Sequence, residues 1–168
     1  NEIVSEDLTD ADGLITRTRT KCNKTLLEGS KVQIIATATI GYDHIDTDYC
    51  GKKGIEWTNA PGCNSSSVEQ YIVSVLLHLA KKYDFKPQEK TLGIIGVGNV
   101  GSKVKRVGEA LGFKVVCNDP PREREEGDVE FVSLKDLLGS SDIVSMHVPL
   151  DHEGIDKTHE MADGGFFD

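Results

Sequence analysis

The 168-residue sequence lacks the features that would direct a protein to a membrane or equip it with a metal. No apolar run approaches the ~20 residues of a membrane span, and no cleavable signal segment is visible. The cysteines form no Cys-x-x-Cys pair, and neither they nor the histidines have the spacing of metal ligands. We therefore expect no membrane and no metal, and we interpret Cys22, Cys50, Cys63 and Cys117 as structural thiols.

Positive charge is also scarce, because 28 Asp and Glu residues outnumber 19 Lys and Arg residues and leave a formal net charge of −9. A phosphate backbone or an anionic lipid surface would repel such a chain, which argues against nucleic acid or a membrane as the main partner. Internal repeats and low-complexity segments are absent. The hydrophobic fraction of 38% is typical of a globular protein with one or two domains.

What the sequence does contain is a buried strand that runs directly into a Gly-x-Gly-x-x-Gly turn, over 91–101. Gly96 allows a tight bend, Gly98 lets a pyrophosphate approach the backbone, and Gly101 allows the next helix to pack closely. The N terminus of that helix offers unpaired N–H groups and a partial positive charge to phosphates. The turn therefore predicts a nucleotide site.

A second predicted strand, 113–119, follows the helix and ends in an acid, Asp119, 18 residues after Gly101. An acid at this position can bind both ribose hydroxyls of NAD, and its charge would repel the 2′-phosphate of NADP. S-adenosylmethionine enzymes also use glycine-rich turns, but the third glycine and the late acid favour a dinucleotide. Arg122 and Arg124 either approach such a phosphate or remain solvated beside their acidic neighbours. NAD is the expected cofactor.

The other elements are predicted from apolar runs bounded by turn signals: strands at 11–16, 32–38, 55–58 and 141–149, and helices at 23–28, 66–83 and from 133. A capping box over 66–69 opens the long helix. We expect 120–127 to be an exposed loop, since adjacent prolines and a charge run cannot join a sheet. The carboxyl end of the last strand, at His147 and Val148, should face the same crevice as Asp119.

Cations and hydroxyls alternate over 16–21, after the first predicted strand. In an extended segment, Arg17 and Arg19 would point to one side, where their guanidinium groups could grip a carboxylate or phosphate. A solvated strand end that pairs with nearby acids is the equal alternative. The segment 37–41 leaves hydroxyl and N–H groups at the end of the next strand, so both strand tips could meet one ligand.

Isolated histidines and cysteines give weaker hypotheses. His44 could be a general base oriented by Asp43 or Asp46, although acids at a helix start are more often caps. His78 is predicted to pack on the long helix. Cys63 has no paired base and is predicted to be structural or next to a ligand.

Together these segments resemble the D-2-hydroxyacid dehydrogenase family over nearly the whole chain. The resemblance is carried by the motifs at 14–21, 36–46, 59–64, 93–101, 118–122 and 147–150. It implies an α/β fold with a doubly wound parallel (Rossmann) cofactor domain and part of a flavodoxin-like substrate domain. The implied boundaries are a partial substrate domain at 1–63, an interdomain helix and linker at 64–86, and a partial NAD-binding domain at 87–168.

The resemblance also assigns site residues. It places substrate at Thr18 and Thr39, pyrophosphate at Asn99 and Val100, the adenosine ribose at Asp119, and the edge of the nicotinamide crevice at Val148. That Arg17 or Arg19 anchors an anionic group of a phosphorylated hydroxy acid is our own hypothesis. The family's catalytic Arg, His and Glu match no residue here, so no catalytic residue is assigned.

These assignments lead us to expect part of an NAD-dependent dehydrogenase, cytoplasmic and homodimeric when whole, and inactive as this piece alone. We also expect the first strand and helix of the substrate domain to be missing. Two alternatives remain open. In the first, the whole protein is a dehydrogenase of the same family with a different D-2-hydroxyacid substrate, such as phosphoglycerate. In the second, the chain is a non-catalytic NAD-sensing interaction module built on the same fold.

Overall fold

A computed structural model describes residues 3–127 and 131–166. The chain divides into two compact units, Asn1–Asn64 and Ser65–Asp168, and each is built around a three-stranded parallel sheet. The predicted α/β class is confirmed. None of the helices within the described ranges is a candidate to cross a lipid bilayer.

The first unit alternates strands with short helices. Its elements are a 3-10 turn at Ser5–Leu8, β1 (Gly13–Thr16), α1 (Lys24–Leu27), β2 (Ile34–Thr37), α2 (Thr47–Lys53) and β3 (Glu56–Thr58). The strands pair in the order β1-β2-β3. The three predicted strands and the helix predicted at 23–28 are present, with strands one to three residues shorter, whereas no range was predicted for α2.

One face of the β1-β2-β3 sheet carries the core of the first unit. Leu14 lies opposite Ile35 in the parallel register, and both are buried against Leu27 of α1 and Cys50 of α2. Because side chains alternate across a strand, the neighbouring position Ile15 points to the other face and is 81% exposed.

Side-chain caps set where α1 and α2 begin. The Asn23 side chain accepts a hydrogen bond from the Leu26 N–H at 3.3 Å, and the Asp46 carboxylate accepts one from the Tyr49 N–H at 2.9 Å. Each cap satisfies an N–H group that has no partner within its helix. This hydrogen bond confirms the interpretation of Asp46 as a helix cap.

The second unit holds the longer helices. Its elements are α3 (Ser65–Tyr83), β4 (Thr91–Ile95), α4 (Gly101–Leu111), β5 (Lys114–Asn118), α5 (Pro120–Glu126), α6 (Leu134–Ser140) and β6 (Ile143–Met146), with 3-10 turns at Pro87–Glu89 and Gly164–Phe166. The strand order is β5-β4-β6. The chain therefore moves from β4 to one neighbour and returns to the other side of β4, which is the reversal where open α/β sheets bind ligands.

Strand β4 lies in the middle of this sheet and is covered on both faces. Leu92 packs with Leu76 of α3 and Val104 of α4. On the opposite face, a Cβ at Gly93 would lie 2.7 Å from the Leu137 Cδ2 of α6, so glycine allows this helix to approach the strand. The doubly wound arrangement predicted for the cofactor domain is confirmed.

The prediction of an exposed loop at 120–127 is wrong, since Pro120–Glu126 form helix α5. Adjacent prolines are compatible with the first helical turn, where N–H groups have no acceptor within the helix and the fixed φ suits helical geometry. Asp119 caps the helix, and Gly127 ends it in the left-handed conformation at φ +64°. Adjacent prolines therefore exclude a sheet interior but not the start of a helix.

The predicted capping box at 66–69 is also wrong. Helix α3 already begins at Ser65, and the Glu69 carboxylate instead accepts a hydrogen bond from Arg106 of α4 at 2.8 Å. The compact units place α3 with the second unit. Its predicted role as a connection between domains stays a prediction.

Candidate functional site

The glycine turn between β4 and α4 depends on close backbone contacts. Gly96 has φ +83°, and a Cβ there would lie 2.8 Å from the carbonyl oxygen of His147. A Cβ at Gly101 would lie 1.9 Å from the carbonyl oxygen of Gly96. These two positions therefore require glycine for the turn to close.

Gly98 is different, because no atom lies within 4 Å of the position that its Cβ would occupy. Within the described ranges, the amide N–H groups of Gly98, Asn99, Val100 and Gly101 donate no hydrogen bond. Unpaired amides at the start of an 11-residue helix form a partial positive charge suited to phosphate oxygens. The turn thus offers donors and open space at the predicted pyrophosphate position.

Three side chains hold the peptide groups of Val97, the residue between the first two glycines of the turn. The Val97 N–H donates to Asp119 Oδ2 at 2.7 Å. Its carbonyl oxygen accepts hydrogen bonds from Arg122 Nη1 and Ser102 Oγ, each at 2.7 Å. The turn is therefore fixed from β5, α4 and α5 together, which the local motif did not indicate.

Asp119 consequently has a structural role that the sequence analysis missed. It is only 9% exposed, and its Oδ1 also accepts a hydrogen bond from the Arg122 N–H at 3.1 Å, as the cap of α5. An ionised carboxylate can accept about four hydrogen bonds, so each oxygen keeps capacity for a ribose hydroxyl. The spacing to Pro120 and Pro121 was the available signal for the cap, since proline is frequent at the first helical positions.

Both arginines that follow Asp119 are paired with acids. The Arg122 guanidinium donates from Nε and Nη2 to the carboxylate of Glu126, at 2.8 and 2.9 Å. Arg124 forms an ion pair with Asp156. The interpretation that both arginines remain solvated beside acidic neighbours is confirmed only in part. Arg122 pairs with the neighbouring Glu126 but is half-buried against the turn, whereas Arg124 is exposed and pairs with Asp156, which is distant in sequence.

A cleft of about 370 Å³ lies at the carboxyl end of the β5-β4-β6 sheet. It brings together Gly96, Gly98, Asp119 and Val148, as predicted. The remaining lining residues are Ile95, Asn118, Pro120, Pro121, Leu134, His147, Pro149, Asp151, Ile155, Asp156, Lys157, Thr158 and Met161. The lining thus combines apolar walls with polar and charged groups, and small-molecule sites use such polar groups to orient a ligand.

His147 stands at the end of β6 beside this cleft. Its Nε2 lies 2.9 Å from Ser145 Oγ, and its backbone N–H donates to the Ile95 carbonyl at 2.7 Å. Burial lowers the pKa of His147 below the usual value of 6.5, because the charged imidazolium is poorly solvated there. The ring is therefore neutral near pH 7.

The cation segment of the first unit is not extended as expected. Strand β1 ends at Thr16, and the Thr20 N–H donates to the Arg17 carbonyl at 3.2 Å in a turn. Alternation therefore does not place Arg17 and Arg19 on one side. Arg17, Thr18 and Arg19 are exposed, so the guanidinium groups are accessible to an anion.

A chain of hydrogen bonds connects Thr39 to a histidine. The Thr39 hydroxyl donates to the Gly41 carbonyl at 2.9 Å, and its oxygen lies 2.7 Å from the Thr37 hydroxyl. Since a carbonyl can only accept, Thr37 donates to Thr39, and His44 Nε2 donates to Thr37 over 3.0 Å. Within the described ranges, the ring of His44 is thus oriented by Thr37 and not by Asp43 or Asp46.

The remaining candidates separate by burial. Cys22, Cys50 and Cys117 are buried, as structural thiols should be, whereas Cys63 is exposed. Burial and the neighbouring Cys50 raise the pKa of Cys22 to about 11. His78 is exposed, so its predicted packing is wrong. No cluster of His, Cys, Asp and Glu in the described part of the chain could hold a metal.

These features define a class: an α/β protein of the doubly wound Rossmann type, with a glycine turn and a buried acid at the switch point of the sheet. The chain belongs to the D-isomer specific 2-hydroxyacid dehydrogenase family, whose catalytic-domain model matches residues 1–148.

Among curated proteins, the chain is 58% identical over 166 residues to erythronate-4-phosphate dehydrogenase of Bacteroides thetaiotaomicron, covering 99% of this chain and 48% of that protein. It is 45% identical to the protein of the same name from Porphyromonas gingivalis, covering 91% of this chain and 42% of that one. The chain spans about half the length of the curated relatives it matches.

Two solved structures show the same architecture. NAD+-bound 3-phosphoglycerate dehydrogenase of Entamoeba histolytica superimposes with a TM-score of 0.73 at 32% identity, covering 88% of this chain and 49% of that one. D-lactate dehydrogenase of Aquifex aeolicus, complexed with NAD and lactic acid, gives a TM-score of 0.68 at 33% identity, covering 86% and 50%.

Proposed function

We propose that the whole protein is an NAD-dependent dehydrogenase that oxidises 4-phospho-D-erythronate to 3-hydroxy-2-oxo-4-phosphobutanoate, a step of vitamin B6 biosynthesis. The observation that carries the proposal is the clamped glycine turn beside a buried acid, in a chain 58% identical to an erythronate-4-phosphate dehydrogenase. Related proteins solved with NAD support the choice of cofactor.

The described residues fit a dinucleotide. Unpaired amides from Gly98 to Gly101, including Asn99 and Val100, would hold the pyrophosphate. Asp119 would accept hydrogen bonds from the adenosine ribose, and Val148 would lie at the nicotinamide edge of the crevice. NAD, when bound, accepts the hydride that leaves the hydroxyl-bearing carbon.

We assign substrate binding to the first unit. Thr18 and Thr39 would contact the hydroxy acid, and exposed Arg17 would pair with its phosphate or carboxylate through a bidentate guanidinium. In Thr39 the hydroxyl proton is already donated to Gly41, so this residue would present an oxygen lone pair to a substrate hydroxyl. A homodimer and a cytoplasmic location are part of the same proposal.

Phosphoglycerate is the second candidate substrate, favoured by the likeness to the Entamoeba histolytica 3-phosphoglycerate dehydrogenase. A non-catalytic NAD-sensing module would use the same cleft without turnover. All three hypotheses predict binding of the cofactor, so turnover of each candidate substrate must be measured to distinguish them.

A direct test begins with fluorescence titration of NADH into the chain, with Asp119→Ala beside it. We expect binding by the wild type and at least about tenfold weaker binding by the variant. The variant would lose charge-assisted hydrogen bonds to the ribose, and the Val97 N–H would lose the carboxylate that holds the turn. Absence of NADH binding by the wild type would contradict the cofactor assignment.

The substrate is tested in a chimera in which this chain replaces the aligned 166 residues of the Bacteroides thetaiotaomicron protein. Initial rates of NADH formation are compared for 4-phosphoerythronate and 3-phosphoglycerate, with Arg17→Ala as a variant and Lys52→Ala as a control. We expect turnover of 4-phosphoerythronate and a raised KM in the Arg17 variant. Turnover of phosphoglycerate alone would select the second candidate, and NADH binding without turnover would select the sensor.

A further inference from the structure

Arg122 lies three residues after Asp119, the acid to which we assign ribose binding. Its Nη1 donates to the Val97 carbonyl at 2.7 Å, so the guanidinium helps to fix the glycine turn. The Cζ atom of the guanidinium lies over the Phe131 ring, 5.5 Å from its centroid, in a cation–π contact. This arginine is a positioning residue for the turn.

The Nε and Nη2 groups of the Arg122 guanidinium bind the carboxylate of Glu126. Nε and Nη2 donate to Oε1 and Oε2 at 2.8 and 2.9 Å, in the parallel bidentate geometry that suits this pair. The two residues are one helical turn apart in α5, so the helix itself sets their spacing. The hydrogen bonds raise the pKa of Arg122 and lower that of Glu126, and both groups stay charged.

This pairing bears on which dinucleotide the cleft accepts. In proteins of this fold that bind NADP, an arginine near the ribose accommodates the 2′-phosphate. Here the arginine in that place already faces a carboxylate, and releasing it would leave Glu126 unpaired beside a phosphate dianion. Arg124 is held by Asp156 in turn.

We propose that Glu126 is a specificity-determining residue, which holds Arg122 on the Val97 carbonyl and away from a 2′-phosphate, so that the cleft prefers NAD to NADP. This inference rests on the proposed dinucleotide site. It gives the preference for NAD over NADP a second cause, which experiment can separate from the repulsion of the 2′-phosphate by Asp119.

The test compares two substitutions on the same helix that remove the same charge. Glu126→Gln breaks the bidentate pair, whereas Glu125→Gln removes an exposed carboxylate one residue away. Dissociation constants for NADH and NADPH are measured by nucleotide fluorescence for the wild type and each variant. We expect Glu126→Gln to lower the ratio Kd(NADPH)/Kd(NADH) about three- to fivefold, the range of a partly exposed ion pair, and Glu125→Gln to leave it nearly unchanged.

A double variant, Glu126→Gln with Arg122→Gln, identifies the cation responsible. We expect the gain in NADPH binding to disappear, because the cation that would meet the 2′-phosphate is absent. The ratio Kd(NADPH)/Kd(NADH) cancels any general loss of binding that a loosened turn causes. Equal effects of the two single substitutions, or a gain that survives without Arg122 and so points to another cation such as Lys157, would overturn the proposal. If the wild type binds NADH but Glu126→Gln leaves the ratio Kd(NADPH)/Kd(NADH) unchanged, this inference alone is overturned. If the wild type does not bind NADH, the proposed function is overturned as well.

Discussion

At the scale of single residues, the three glycines of the turn have different physical requirements. Gly96 and Gly101 are needed because backbone carbonyl groups lie where a side chain would be. Gly98 is surrounded by open space, so its requirement comes only with a bound ligand. Experiment can therefore separate Gly98 from the other two glycines.

We predict that Gly101→Ala and Gly98→Ala have opposite profiles. Gly101→Ala should lower the free energy of unfolding by roughly 3 kcal/mol, since the Gly96 carbonyl must move. Gly98→Ala should change it by less than about 0.5 kcal/mol but weaken NADH binding at least about tenfold. Urea unfolding and NADH titration measure the two quantities, and strong binding by Gly98→Ala would contradict the pyrophosphate assignment.

At the scale of elements, the site depends on where strands and helices end. Asp119 follows β5 and caps α5, His147 follows β6, and the unpaired amides start α4. Each element end therefore contributes one chemical group to the same edge of the sheet. Short connections between these elements bring the groups together without long loops.

His147 at the end of β6 should make stability depend on pH. Its pKa in the folded chain lies below the ordinary 6.5, so between the two values the unfolded chain binds a proton that the folded chain does not. The free energy of unfolding should accordingly fall as pH drops below about 6.5 and level off below the folded pKa.

The variant His147→Gln isolates this contribution, because glutamine keeps a polar group near Ser145 without titrating. Chemical unfolding of both proteins from pH 7.5 to 4.5 should show a smaller loss of stability in the variant. Parallel curves for the two proteins would show that the imidazole is not buried in its neutral form.

At the scale of the whole molecule, the chain forms two compact units, and the residues described as lining the candidate dinucleotide cleft belong to the second. The core of the first unit contains Leu14 and Ile35, and that of the second contains Leu92 and Ile94. Each sheet thus has its own hydrophobic core.

This division predicts that damage to the first core spares the cleft. Ile35→Ala should cost about 2–5 kcal/mol and accelerate amide hydrogen exchange within Asn1–Asn64, since Ile35 is fully buried. Ile34→Ala is the matched control, because this neighbour in β2 is 45% exposed. We expect the NADH affinity of both variants to stay within about twofold of wild type, and a large loss in Ile35→Ala would contradict the division.

Much of the fold could be predicted because its signals are local. Apolar runs predicted the six strands found in the described residues, and Asn23 and Ser133 marked helix starts by their capping chemistry. Helix α5 was missed because its proline and charge content was judged against a sheet alone. The extended geometry expected at Arg17 failed because a turn after β1 leaves no sequence signal as strong as glycine or proline.

The sequence by itself determined the α/β class, the glycine turn and the position of Asp119 after the second strand, since these depend on residues close together in the chain. Only the tertiary structure decided that Asp119 and Arg122 clamp the peptide of Val97. Val97 and these side chains are separated by more than twenty positions, and their contacts exist only once β4 and β5 pair in register. Side-chain roles that depend on such pairing are set by packing, which local pattern does not encode.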